Sequence, residues 1–480
     1  MRGRKDVPAP RVHTSNSDPV DNFVPKSHIP GRVDGQRDKG IAQDGVSSIP
    51  TRDEGPIENS SDSVAIYIRQ LILRTPNLRP ECCIYRVPQR FRKGNEEFYH
   101  PRVVGIGAYF RDTSYVKPKY VDAFFRRNKL NLDDCLGLVR KWEAKARSYY
   151  VEHDFELSSD EFTFIMLMDA TFVLELMLRH RFSGYIDNCD PIFHKPRMIE
   201  DVYHDILLIE NQLPFFVLEG LYLYKQLGTS SLSLEDHHLS FTELTHDFFK
   251  HFMKIDKFPA HVVSANHDQV NHFVDFIRRY YLAPPPPKED EQKHNAKDHE
   301  IPPSVTALDE AGVKFETTKD SASLLNIKFN NGRLKIPNFV VDDWTETLFR
   351  NLIAFEQCHD TEKYISQFMF LMMCMIRTSK DADLLMNYGV LSSMLGSSKD
   401  LSILFNHISR DVGFGEPFYY FQTCANLNAY CNTRRHRWKA ILKRDYFNTP
   451  WKIASTIAAI ILLVLTFTQT VCSILSVPKT

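Results

Sequence analysis

From Ile453 to Pro478 the chain runs 26 residues without a charge, and no other stretch restricts the possible folds so sharply. As a helix, the apolar part Ile453 to Leu475 would be roughly 34 Å long, enough for a hydrocarbon layer of about 30 Å. Twelve of those 23 residues are Ile, Leu, Val or Phe. At about −0.3 to −0.6 kcal/mol each they contribute roughly −4 to −7 kcal/mol to insertion, against smaller costs for Gln469 and the Ser and Thr side chains. A buried core helix of that length would normally turn some polar face to water. The expectation is a single-pass transmembrane anchor over 451–477, with Ile453 and Leu475 marking its ends.

Arg434, Arg435, Arg437, Lys439, Lys443, Arg444 and Lys452 crowd the N-terminal flank of this segment, and only Lys479 follows it. The positive-inside rule then places the long N-terminal body in the cytosol, a tail-anchored arrangement. Trp438, Tyr446, Phe447 and Trp451 lie among the cations, where amphipathic rings favour headgroup depth. Each cation would add about 1 kcal/mol against an anionic leaflet. Membrane lipid is thus the expected partner of helix and collar, with simple topological flanking as the other reading of the collar.

The rest of the chain must fold in water. With 480 residues it exceeds the roughly 250–300 at which one hydrophobic core stops growing, so two core units are expected. Its 59 basic and 60 acidic residues cancel, leaving no global field to draw nucleic acid. Nine cysteines, an odd number without CxxC spacing, fit reduced thiols. The basic N-terminus has no apolar run of secretory type. The one sequon, Asn59-Ser60-Ser61, carries little weight.

Organisation follows from local patterns. Residues 1–62 lack clustered apolar side chains and read as a disordered tail. Residues 63–282 read as an N-terminal helical lobe. In it, IYRVPQRF and VVGIGAYF are strands or extended segments, followed by long 3.6-residue periods. Capping boxes at Ser158-x-x-Glu161 and Ser240-x-x-Glu243 start two of its helices. Pro214 should kink or break the apolar helix that contains Glu210-Asn211-Gln212. Residues 283–303, APPPPKEDEQKHNAKDHEIPP, read as an interlobe linker. Residues 304–450 read as a second helical lobe, with a β-hairpin turning at Asn331-Gly332. The Phe368–Ile376 run is too short to cross a bilayer and reads as core. The fold class is mainly α.

No catalytic or nucleotide signature is present: Gly105 and Gly107 lack a third glycine, and there is no GxxxxGK[ST], GxSxG or HExxH. No enzyme activity and no cofactor is expected. The densest titratable group comprises His237, His238, His246, His251, His261, His267 and His272, with Glu235-x-x-His238 and Glu243-x-x-His246. A metal-dependent enzyme using residues 235–272 is the alternative. Against it, di-iron bundles place each such pair on a separate helix and add further glutamates. Histidines on amphipathic helices explain the segment without a metal. For the Glu210-Asn211-Gln212 triplet, a ligand-orienting site competes with bonding of the backbone groups freed by Pro214. At Asp342-Asp343, a cation site competes with an acidic helix cap.

Six blocks, in order, resemble the plant family called domain of unknown function 247. They are CIYRVPQRFRKGNEEFYHP, LLIENQLPFFVLEGL, AGVKFE, LNIKFNNGRLKIPNF, DDWTETLFRNLIAFEQC and RWKAILKRDYFNTPWKIASTIAAIILLVLTFTQTV. The resemblance covers roughly residues 63–475. It implies a mainly helical body, a C-terminal single-pass anchor and no established enzyme activity, and some grass members are associated with self-incompatibility. Members commonly carry a Gly-Pro-Tyr-His-His-Gly type run where this chain has Gly107-Ala108-Tyr109-Phe110-Arg111-Asp112. The missing paired histidines argue against a ligand role for that loop here. The expected function is a membrane-tethered interaction or signalling protein, in which the body offers a recognition surface to a protein partner.

Overall fold

The computed structural model describes residues 64, 67–68, 81–111, 114–151, 156–228, 239–253, 270–282, 301–318, 323–359, 362–410, 412–413, 415, 417–434, 438, 441–442, 446 and 450–475. The expected tail over 1–62 and linker over 283–303 lie almost wholly outside this set. The first stretch holds α1 (Gln89–Arg92), α2 (Val116–Asn128), α3 (Leu132–Ser148), α4 (Ser159–Arg181), α5 (Met198–Ile206), α6 (Phe215–Gly228), α7 (Phe241–Met253) and α8 (Phe273–Tyr281). The fold is mainly helical, as expected.

Several helices start where a side chain satisfies a free amide. Ser158 accepts from the Glu161 amide while the Glu161 carboxylate accepts from the Ser158 amide, closing the box that opens α4. Ser240 and Glu243 form the same pair before α7. α4 is apolar on nearly every side and packs against α2, α3, α6 and α7, which makes it the central post of this half.

The apolar stretch with Pro214 resolves as a break. α5 ends at Ile206 and α6 begins at Phe215, directly after the proline. The polar triplet therefore sits in a buried loop, not inside a helix as its periodicity suggested. Among the described residues IYRVPQRF and VVGIGAYF form no ladder beyond one isolated bridge, Ile84 to Tyr150; α1 occupies the end of the first, and the second bends at Val103 and Gly107 and turns at Ala108 and Tyr109.

After α9 (Val305–Ala311), β1 (Lys314–Thr318), β2 (Lys328–Asn330) and β3 (Arg333–Pro337) form one sheet in the order β1-β3-β2. β2 and β3 are the expected hairpin, antiparallel with Asn330 opposite Arg333. Asn331 and Gly332 carry the turn at φ 51° and 74°, the paired positive φ that a two-residue I′ turn requires. Parallel pairing of β1 with β3, and of β4 (Phe339–Val341) with β5 (Leu391–Ser393), is new relative to the sequence reading. α10 (Thr345–Cys358), α11 (Tyr364–Met375), α12 (Ser379–Asn387), α13 (Ser398–Ile408) and α14 (Phe421–Asn432) complete the body. Phe368, Met369 and Met372 of α11 are fully buried, the core helix expected there.

Residues Tyr67–Thr480 cluster as one unit. One cluster of buried side chains contains residues from both sides of 283–303. α8 packs on α10 across that stretch. The last element is α15 (Pro450–Leu475).

Candidate functional site: an exposed C-terminal helix and a buried polar hub

α15 spans 26 residues, about 39 Å at 1.5 Å per residue. Among the described residues it is the one helix long and apolar enough to cross a membrane. From Trp451 to Ser473 every residue is exposed except the half-buried Thr456, so none of these apolar side chains is buried against the body. Burial against protein, the ordinary fate of such a surface, does not occur here. Ile453 and Leu475, the expected ends of the anchor, both lie on this one helix. Of the collar, Arg434, Trp438, Tyr446, Trp451 and Lys452 are described, and all five are exposed. Arg435, Arg437, Lys439, Lys443, Arg444 and Phe447 lie outside the described residues.

The second feature is the loop between α5 and α6. Glu210, Asn211 and Gln212 are all but fully buried. Glu210 Oε1 accepts from the Val87 amide at 2.6 Å and pairs with Arg92, while Oε2 accepts from Arg86 Nη1 at 3.2 Å. Asn211 Oδ1 accepts from the Ile106 amide, while its Nδ2 donates to the carbonyls of Val104 (3.0 Å) and Asp205 (2.8 Å). Gln212 Nε2 donates to the carbonyls of Ile206 (2.7 Å) and Leu208 (2.8 Å), and Oε1 accepts from the Phe273 amide at 3.1 Å. Thus Gln212 caps the open end of α5, where Pro214 forbids continuation. The triplet has no bonding capacity aimed at a ligand. Asn211 and Gln212 satisfy backbone groups, and Glu210 holds the Val87 amide and two guanidinium groups.

The same logic explains why VVGIGAYF is not a strand. The amides of Arg102, Val103 and Val104 donate to Asp205 at 2.7 Å each, and the Gly107 amide donates to Asp169 at 2.8 Å. Buried side chains replace a neighbouring strand as acceptors. Lys117 Nζ pairs with Asp169 at 2.6 Å. Gly107 sits at φ 77°, and a Cβ there would overlap the Gln212 carbonyl oxygen. Tyr109 carries the Arg86 guanidinium over its ring at 4.6 Å, and its hydroxyl donates to the Ile84 carbonyl. The loop lacking the paired histidines is therefore bound up with the hub.

A further buried carboxylate, Glu356 on α10, accepts from Arg278 Nε (2.9 Å), the Ile365 amide (3.1 Å), and the Ser366 amide and hydroxyl (2.8 Å each). Burial raises its pKa despite Arg278 and the Ser366 bonds. On the same helix Asn351 Oδ1 accepts from the Ile209 amide, and Nδ2 donates to the carbonyls of Phe98 and Thr347. Asp342 accepts from the Trp344 amide and the Thr345 hydroxyl in the turn just before α10.

Of the seven histidines, His246, His251 and His272 are described, and each has its own surroundings. His246 Nε2 meets the Tyr280 hydroxyl at 2.8 Å, and His251 is exposed. His272, fully buried, caps α8: Nδ1 accepts from the Asp275 amide and Nε2 meets the Cys83 carbonyl. Burial pulls the His272 pKa down to about 4. Glu235, His237, His238, His261 and His267 lie outside the described residues. Among the described residues no group of three or more His, Cys, Asp or Glu could hold a metal ion. No disulfide links the described cysteines, and burial pushes the Cys358 thiol up to about 11, so it stays protonated near neutrality.

Comparison with known proteins fits this picture of shared architecture without an assigned chemistry. A UPF0481 protein of Arabidopsis thaliana is 28% identical over 431 residues, covering 83% of this chain and 87% of the relative. A putative UPF0481 protein of the same plant is 23% identical over 483 residues, covering 80% and 89%. No solved structure matches. The model of domain of unknown function 247, described as a plant protein of unknown function, matches residues 84–465 from the Glu210 hub into α15, and the chain belongs to that family.

Proposed function

We propose that this chain is a membrane-anchored protein of interaction or signalling type, held by α15 with its body in the cytosol, and that it works by binding rather than catalysis. The observation that carries this reading is the 26-residue apolar helix whose side chains find no cover in the body. Lipid is the solvent that would cover them. The flanking excess of Lys and Arg supports a cytosolic body, and Trp438, Tyr446 and Trp451 suit headgroup depth. A role in recognition, of the kind associated with grass members in self-incompatibility, is consistent with a body whose ionisable hubs serve its own backbone. Nothing among the described residues favours the metal-dependent alternative. The test is carbonate extraction of membranes carrying the full chain or a chain lacking 451–480. Full chain in the pellet and truncated chain in the supernatant is expected. A truncated chain that resists extraction would overturn the single-anchor reading.

A further inference from the structure

One polar group in α15 is not accounted for by crossing a bilayer alone. The threonines of the span satisfy themselves: Thr466, Thr468 and Thr470 hydroxyls donate to the carbonyls of Leu462 (2.7 Å), Val464 (3.0 Å) and Thr466 (2.8 Å). Gln469 makes no such bond. Its carboxamide has two donors and an acceptor oxygen, and it lies about 25 Å along the helix from Lys452, within a hydrocarbon layer of about 30 Å. There it lacks water, and an unbonded amide is costly. At 100° per residue, the face within about 60° of it carries the small Ala454, Ser455, Ala458 and Cys472 together with Leu462, Leu465 and, at the headgroup end, Trp451. The bulky Ile453, Ile457, Ile460, Val464, Phe467 and Val471 lie on the opposite side. One face therefore suits lipid, and the other allows a second helix to approach closely.

We propose that α15 pairs with the α15 of a second copy of this chain, the two Gln469 carboxamides bonding each other inside the bilayer. A foreign helix would need its own polar group at that depth; a second copy supplies it by symmetry, and a carboxamide is self-complementary, each NH2 donating to the other's oxygen. The inference rests on the membrane-crossing reading. The test uses full-length chains with two different tags, co-expressed, in carbonate-washed membranes, then solubilised in mild detergent and recovered through one tag. Gln469→Leu should lower recovery of the second tag by about 3- to 30-fold. Gln469→Asn, which keeps the carboxamide, should retain most of it, and Phe467→Leu on the opposite face should leave it unchanged. Recovery of the Leu variant within about 2-fold of native, or no copy-to-copy recovery of the native chain, overturns the pairing whatever other protein is recovered. Release of the native chain by the carbonate wash would instead remove the membrane reading beneath it.

Discussion

Replacing Glu210 by alanine should be among the most damaging single changes in the body. Its carboxylate is fully buried and receives the Val87 amide at 2.6 Å together with Arg86 and Arg92. Removing one partner of a buried ionic group costs about 3–5 kcal/mol, because the remaining charges and amide stay desolvated. Arg86 is partly exposed and can turn to water, so the lower half of that range applies, about 3–4 kcal/mol. Glu210→Gln keeps an oxygen for the Val87 amide but turns an NH2 toward arginine donors. It should cost about 2 kcal/mol or more. With an unfolding slope of about 3 kcal/mol per molar urea, the alanine variant's midpoint drops by about 1 M. Pulse proteolysis of detergent-solubilised full chain across a urea series reads this, with the exposed Glu97→Ala as control, expected within about ±0.5 kcal/mol. A Glu210→Ala midpoint within about 0.2 M of native would show that the hub does not hold the fold.

Three further outcomes are expected. His272 has a pKa of about 4 when folded against about 6.5 unfolded. Between these values the unfolded chain binds the extra proton, so stability is full above about pH 6.5 and falls by about 2 kcal/mol by pH 5; urea midpoints at pH 7 and 5 should show that loss, and His272→Asn should flatten it. Gly107→Ala should cost more than about 2 kcal/mol, since it forces a side chain into positive φ and against the Gln212 carbonyl; an unchanged thermal midpoint would contradict the loop geometry. His246→Ala should cost about 1 kcal/mol through the lost Tyr280 bond, and elemental analysis should find no stoichiometric metal to lose; a metal stripped by that change would favour the metalloprotein alternative.

Local grammar was legible because it is written within a few residues. The two serine capping boxes, the Asn331-Gly332 turn and the uncharged α15 segment each form from near neighbours. What was not legible depends on partners far away. The apolar period running into Leu213 looks like uninterrupted helix, but Gln212 closes α5 with a side chain whose other end holds the Phe273 amide. VVGIGAYF has strand composition, and only the three-dimensional placement of Asp205, Asn211 and Asp169 takes its donors away from a ladder. β1 and β5 find parallel partners through crossovers, a pairing that alternation alone cannot assign. For the hub itself, three consecutive polar residues in an apolar run were the usable signal, but their partners, Arg86, Arg92 and the amides of Val87, Ile106 and Phe273, lie too far along the chain to be read from it.

Asn351 has a consequence for the order in which the protein can be made. It bonds the Phe98 carbonyl and the Ile209 amide at once, joining segments 253 and 142 residues upstream of it. On the ribosome, residues 98 and 209 emerge well before their partner. At roughly 5–20 residues per second, the wait from residue 212 to residue 351 is about 7–28 s. During that interval α5 and α6 can form, yet the groove that α10 will fill stays open with polar backbone and aromatic surface facing water. The nascent chain should therefore depend on chaperone cover for as long as α10 is missing, and synonymous codon changes that slow elongation between 212 and 351 should raise its aggregation without altering a single residue.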